Sequence, residues 1–283
     1  MTIRTVAVIG AGTMGHGIAH VAAQAGFEVL LCDLDRGILD RALSTISRNM
    51  EREVRKGARS EEDRTKALGR IVPTVEIRAL EPADFLIEAV REDEAAKADV
   101  LSALDKILGP ETVLASNTSS ISITRLAART RRPHLVIGMH FMNPVPLMLL
   151  VEVVRGLETS EETVARTREL AQTLGKTPVV VSDFPGFVSN RLLMPMINEA
   201  AACLMEGVGS RESIDQVMTL GMKHPMGPLA LADLIGLDVC LQVMEVLHSG
   251  FGDSRYRPCP LLRKMVDAGH LGRKSGRGFY TYT

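Results

Sequence analysis

Neither sign of charge is in excess in this chain: 33 lysines and arginines stand against 34 aspartates and glutamates in 283 residues. A surface that follows a nucleic-acid backbone or lies on an anionic membrane needs a basic surplus, so neither partner is expected. Long hydrophobic runs are missing as well. Apolar residues make up 46% of the chain, yet no run approaches the length that spans a bilayer. No charged-then-apolar leader precedes the first apolar run at Ile3. The four cysteines, Cys32, Cys203, Cys240 and Cys259, show no C-x-x-C spacing. Scattered thiols suit a reducing compartment better than a disulfide framework or a zinc site. A cytoplasmic protein without a metal is therefore expected. Repeats and low-complexity tracts are absent too. The length suffices for two domains and a sizeable core.

The apolar, β-branched run Ile3 to Ile9 reads as a buried parallel strand. It leads into Gly10-Ala11-Gly12-Thr13-Met14-Gly15, then a helical pattern that Gly26 stops. A second strand, Glu28 to Cys32, ends at Asp33. Strand, glycine turn, helix, strand and acid fall in the order of a dinucleotide-binding unit. Gly10 permits the tight turn, Gly12 lets backbone approach a pyrophosphate, and Gly15 lets helix and strand pack closely. The helix N-terminus would face the phosphates, and Asp33 would accept from a ribose hydroxyl. A carboxylate there repels a 2′-phosphate, which favours NAD, while Arg36 stands near enough to keep NADP open.

Arg36 to Gly57 reads as a long helix with Arg48, Arg52 and Arg55 on one face. That face is either a clamp for an anionic handle or a solvated surface balanced by Glu51 and Glu53. Further strands are expected at 70–72, 83–90 and 112–115, with a helix from Glu94 to Leu108. The fifth strand runs into Ser116-Asn117-Thr118-Ser119-Ser120, a polar cluster where open α/β sheets bind ligands. The same residues also read as an N-cap, with Ser120 or Ser122 capping the next segment.

The next stretch, Gly138 to Val154, reads as strand, two-proline loop, strand. It places His140 at the end of one apolar run. Glu152 stands inside the next, among Leu150, Val151, Val153 and Val154. A carboxylate in such company is costly unless something pairs with it. His140 is the upstream candidate, and the two read as a general base and the group that orients it. After a helix from Glu161 to Leu174 and a last strand at 178–181, the pattern changes at Asp183-Phe184-Pro185-Gly186-Phe187. Helices alone follow, at 188–206, 210–220, 229–248 and 260–268, and the chain closes on a glycine-rich basic loop, Gly272 to Tyr280. The expected fold class is α/β: a doubly wound, mostly parallel Rossmann sheet over residues 1–184, then a smaller all-helical domain over 185–283. The apolar stripes of that second domain suit either its own core or a subunit interface, and a homodimer through them is favoured.

With these motifs in order the sequence resembles the short-chain L-3-hydroxyacyl-CoA dehydrogenases, especially the bacterial 3-hydroxybutyryl-CoA dehydrogenases, over essentially its whole length. The matching stretches are Val8 to Gly15, Ala115 to Ser120, His140 to Pro146, Pro185 to Arg191, His224 to Pro228 and Gly272 to Gly276. The resemblance implies oxidation of an L-3-hydroxyacyl-CoA thioester to the 3-oxoacyl-CoA with hydride passing to NAD, and the reverse. It implies that His140 takes the hydroxyl proton, that Glu152 orients it, and that Ser119 and Asn190 hydrogen-bond the reacting oxygen or the thioester carbonyl. Asn190 lies past the junction, so the site is expected to need both domains. Asp33 falls on the ribose position, and Glu92, Lys97, Asn117, Ser119, Asn143 and Lys274 on positions that contact the nicotinamide half. Met142 and Leu149 depart from the family, which more often has phenylalanine and lysine there. The competing readings are another two-domain NAD(P)-dependent dehydrogenase of a hydroxy or sugar acid, and a non-catalytic relative like some lens crystallins.

Overall fold

The computed structural model describes residues 2–282. Contacts divide the chain into two compact units, Met1–Asp183 and Phe184–Thr283. The first unit alternates strands with helices in the order β1 (Thr5–Ile9), α1 (Thr13–Gln24), β2 (Glu28–Cys32), α2 (Arg36–Arg55), α3 (Glu61–Gly69), β3 (Ile71–Thr74), β4 (Phe85–Glu88), α4 (Glu94–Leu104), β5 (Val113–Ser116), α5 (Ile123–Ala127), β6 (Val136–Phe141), β7 (Leu150–Arg155), α6 (Glu161–Thr173) and β8 (Thr177–Ser182). The eight strands form one sheet in the order β3-β2-β1-β4-β5-β6-β7-β8. Pairing is parallel from β3 through to β6, antiparallel between β6 and β7, and parallel again between β7 and β8. The order reverses direction between β1 and β4, the place where such sheets open a crevice at their carboxyl ends.

The central strands β4, β5 and β6 are buried at every position. That is why they read as unbroken apolar runs rather than alternating ones. The helices turn apolar stripes to the sheet. In α2 the buried residues are Leu39, Ala42, Ile46 and Met50, spaced three or four apart. Each fully buried leucine, isoleucine or methionine contributes about 2 kcal/mol. Helix α3 was not anticipated, because it buries only Ala67 and so shows no apolar stripe. Its available signal was local: Ser60 and Asp63 form a capping box at its start.

The second unit is helical: α7 (Ser189–Met205), α8 (Arg211–Gln216), α9 (Pro228–Ile235), α10 (Leu237–Phe251) and α11 (Pro260–Asp267). Its core gathers Met194, Ile197, Leu229, Leu237, Met244 and Leu262, among others. The single helix expected over 229–248 is two. Gly236 adopts φ 108° between them, a backbone conformation that no α-helix contains. A side chain there would meet Asp238 Oδ1 at 2.9 Å. The glycine-rich tail is pinned within this unit. Buried Asp233 on α9 accepts from the Phe279 and Tyr280 amides at 2.9 and 2.8 Å and from the Tyr282 hydroxyl at 2.9 Å. Among the described residues no helix is long and apolar enough to cross a membrane. No group of three His, Cys, Asp or Glu side chains among them is placed to hold a metal.

Candidate active site

The dinucleotide end is built by the first βαβ unit. Gly10 sits at φ 94°, and a Cβ there would meet the Ala89 carbonyl oxygen at 2.5 Å. A Cβ on Gly15 would lie 1.6 Å from the Gly10 carbonyl oxygen. Both positions therefore demand glycine for packing. Gly12 differs: nothing lies within 4 Å of a Cβ there, so its missing side chain leaves space for a ligand. Helices α2 to α6 each have a side-chain cap, from Asp35, Ser60, Asp93, Ser122 and Ser160. Helix α1, starting at Thr13 and Met14, has Gly12 as its N-cap and no side-chain cap bond. Its first backbone N–H groups are thus left for an anion. Asp33, at the end of β2, accepts from the Ala11 amide at 2.7 Å and fixes the loop beside that helix end. Open backbone donors, a vacant side-chain position and a carboxylate on the neighbouring strand fit the pyrophosphate and ribose of a dinucleotide. Arg36 pairs with Asp40 on its own helix at 3.3 Å.

The proton-handling end lies on β6 and β7. The antiparallel register sets His140 directly opposite Glu152, so the two side chains share a face. His140 Nδ1 lies 2.8 Å from Glu152 Oε2. Residue exposure is 8% for the histidine and 2% for the glutamate. A carboxylate oxygen accepts, so Nδ1 carries the hydrogen and the ring's lone pair falls on Nε2. An imidazole in that tautomer is a base, and the carboxylate stabilises the imidazolium that forms.

Loop contacts stitch the strand ends around this pair. Asn117 Oδ1 accepts from the Phe141 amide at 2.9 Å, and the Asn117 amide donates to the Glu88 carbonyl at 2.7 Å. Ser119 is held by Glu92, whose Oε1 accepts from its amide at 2.7 Å and from its hydroxyl at 3.1 Å. The capping reading of the polar cluster applies at Ser122, which accepts from the Arg125 amide at 3.2 Å. Asn143 is exposed in the loop after β6.

Not every named residue is placed alike. Lys97 is buried and bonded to Glu88 and Glu92. Lys274 and Asn190 belong to the helical unit. Lys274 Nζ lies 2.6 Å from Asp238, and Asn190 falls in the first turn of α7. Of the arginine face on α2, Arg55 pairs with Glu51 and Arg48 donates to Thr45 at 3.3 Å. Sequence reading passed over the importance of Glu88 and Ser116, which bond to each other at 2.6 Å in the interior. The signal was present: Glu88 is a carboxylate closing an otherwise apolar strand, as Glu152 is one standing inside another.

A sheet that opens an uncapped glycine turn at its switch point, with an acid-held imidazole two strands beyond β4, is the arrangement of a nicotinamide-dependent dehydrogenase. Residues 5–184 match the 3-hydroxyacyl-CoA dehydrogenase NAD-binding domain, and residues 186–282 match the C-terminal domain of the same family. The chain belongs to the 3-hydroxyacyl-CoA dehydrogenase family and is an NAD-dependent oxidoreductase. It is 57% identical over 282 residues to the "Probable 3-hydroxybutyryl-CoA dehydrogenase" of Bacillus subtilis, covering 100% of this chain and 98% of that protein. It is 55% identical over 280 residues to the 3-hydroxybutyryl-CoA dehydrogenase of Bradyrhizobium diazoefficiens, covering 99% and 96%. The crystal structure of (S)-3-hydroxybutyryl-CoA dehydrogenase from Ralstonia eutropha superposes over 100% of both chains with a TM-score of 0.98 at 50% identity.

Proposed function

We propose that the protein interconverts L-3-hydroxybutyryl-CoA and acetoacetyl-CoA, with His140 as the proton-transfer group. The observation that carries this is the buried 2.8 Å contact between His140 Nδ1 and Glu152. In oxidation, Nε2 takes the hydroxyl proton of the substrate. Glu152 stabilises the imidazolium so formed, and in reduction the same proton is returned. NAD, when bound, supplies the acceptor for the hydride that leaves carbon three. Ser119 and Asn190 hydrogen-bond the reacting oxygen or the thioester carbonyl. Gly10, Gly12, Gly15, Thr13 and Met14 hold the pyrophosphate end, Asp33 the ribose, and Asn117 and Asn143 the nicotinamide side. The acyl-CoA thioester follows from the names of the relatives. A homodimer through the helical unit is supported by the exposed apolar side chains Leu192, Val208, Leu220 and Met222. A reducing, cytoplasmic setting is supported by four free cysteines.

NADH absorbance with acetoacetyl-CoA tests the reading. The unmodified protein is expected to turn over, and NADH is expected to exceed NADPH in kcat/KM at least tenfold. His140→Gln is expected to lose most turnover while NADH still binds. Loss of NADH binding together with activity would give His140 a structural role instead.

A further inference from the structure

We propose that Lys176 is a positioning residue: it clamps the loop between β6 and β7 and so holds Asn143 beside the nicotinamide half of the cofactor. This rests on the reading of Asn143 as a nicotinamide-side residue. Lys176 stands one residue before β8, just after Gly175 turns the chain out of α6 at φ 73°. Strand β7 runs antiparallel to β6, and β8 runs parallel to β7. The start of β8 therefore lies at the same edge of the sheet as the end of β6, where His140 stands.

The lysine is buried, with 7% of its surface exposed. Its Nζ donates to the Val145 carbonyl and to the Met148 carbonyl, the latter at 2.9 Å. Burial lowers its pKa, and no carboxylate among the described residues opposes that shift. A buried lysine ordinarily answers an acid. This one answers two backbone carbonyls of a single loop.

The loop has little else to fix it on that side. Leu147, Met148 and Leu149 are all exposed, so apolar packing does not hold its second half. Val145 is the exception. It is buried against α1, where a Cβ on Gly17 would come within 2.9 Å of the Val145 Cβ. The Leu147 and Met148 amides both donate to the Pro144 carbonyl at 3.0 Å, and the Leu149 carbonyl accepts from the Thr177 amide at 2.7 Å. The loop is thus tied to the start of β8 by Lys176 and Thr177, and to the dinucleotide helix by Val145. Asn143 is exposed two residues before the first carbonyl that Lys176 holds.

Removing the ammonium leaves two carbonyls without their donor and loosens the loop on the β8 side. Asn143 is then no longer held in one place, and small misplacement of a positioning group lowers turnover steeply. The pyrophosphate and ribose are assigned to the glycine turn and Asp33, outside this loop. The effect should therefore fall on the nicotinamide half alone.

The experiment compares the unmodified full-length protein with Lys176→Met, Asn143→Ala and Val145→Ala. Dissociation constants for NADH come from its fluorescence. Those for ADP-ribose, which lacks the nicotinamide, come from displacement of NADH. Acetoacetyl-CoA reduction gives kcat and KM. Lys176→Met keeps the length of the side chain and removes its donors. Expected for it are a kcat at least tenfold lower, a KM within threefold, NADH binding at least threefold weaker and ADP-ribose binding within twofold. General damage to the domain would weaken both ligands alike. Equal weakening of the two, or unchanged kcat and NADH affinity in a folded Lys176→Met, overturns the proposal. A KM raised tenfold with kcat unchanged would place Lys176 in substrate binding and overturns it too. Should Lys176→Met not fold, Val145→Ala decides, because it frees the same loop from α1. Selective loss of NADH over ADP-ribose there supports the clamped loop, and an equal change in both, or none, refutes it. If Asn143→Ala changes neither kcat nor NADH affinity, the nicotinamide reading of Asn143 falls and this inference with it. A tenfold effect of Asn143→Ala with none of Lys176→Met removes only the role of Lys176. If the unmodified protein fails to turn over acetoacetyl-CoA, the reaction assignment falls, and the comparison of NADH with ADP-ribose still tests Lys176.

Discussion

Glu152→Gln removes one charge and leaves the side chain's length and shape almost unchanged. In the native protein Glu152 is buried and contacts His140 Nδ1 at 2.8 Å. When Nε2 takes the substrate proton, the imidazolium gains the attraction of that carboxylate. Two unit charges about 4 Å apart at an effective dielectric near 20 interact by about 4 kcal/mol. A neutral amide keeps only an ordinary hydrogen bond, about 1 kcal/mol net. The difference of about 3 kcal/mol corresponds to a fall in kcat of roughly 100-fold. The amide also offers an N–H to Nδ1, which would favour the tautomer with the hydrogen on Nε2 and deepen the loss. NADH formation from L-3-hydroxybutyryl-CoA and NAD measures kcat in the direction in which Nε2 takes the proton, NADH fluorescence measures cofactor binding, and circular dichroism measures stability. The expected result is a kcat about 100-fold lower with cofactor affinity and melting temperature little changed. A kcat within fivefold of the unmodified value would refute the electrostatic role of Glu152.

Two glycines of one motif should respond in opposite ways. Gly15→Ala forces a Cβ to 1.6 Å from the Gly10 carbonyl, so thermal melting is expected to show a loss of several kcal/mol, on the scale of overpacked or strained sites. Gly12→Ala meets nothing within 4 Å, so its melting temperature should hold while the NADH dissociation constant rises at least tenfold. Equal melting temperatures for the two variants would contradict the packing argument. His20 is fully buried on α1, and burial lowers its pKa from 6.5 to about 4 against the pull of Glu53. The unfolded chain binds this proton from about pH 6.5 downward while the native chain resists it. Stability is therefore full above that pH and declines as pH falls toward 4, by up to about 3 kcal/mol. Urea midpoints at pH 7.5 and 4.5 should drop less in His20→Leu than in the unmodified protein, and equal drops would refute the assignment.

Much of the fold was open to direct reading because its signals are contiguous. Strand, glycine turn, helix, strand and Asp33 occupy one βαβ unit, where each feature answers to near neighbours in the chain. The same holds for the doubly wound sheet, whose alternation of apolar runs and helical stripes is the observed architecture. Reading failed where an element had no stripe, as in α3, or where a single backbone angle overrode one, as at Gly236 between α9 and α10.

The burial of Glu152 among valines posed a question that the letters alone could state. Composition and spacing required some partner for it, since an isolated carboxylate does not stay ionised in an apolar strand. Which group answers was decided by the antiparallel turn from β6 to β7, because a register one residue different would have sent the two side chains to opposite faces. Lys97 is a related case. Its partners Glu88 and Glu92 stand close before it in the chain, but the Ser119 turn, which Glu92 also holds, lies 27 residues beyond Glu92 and meets it only when β4 and β5 pair. Local chemistry along the chain chose the cofactor-binding unit, and only packing across the sheet chose which charges would touch.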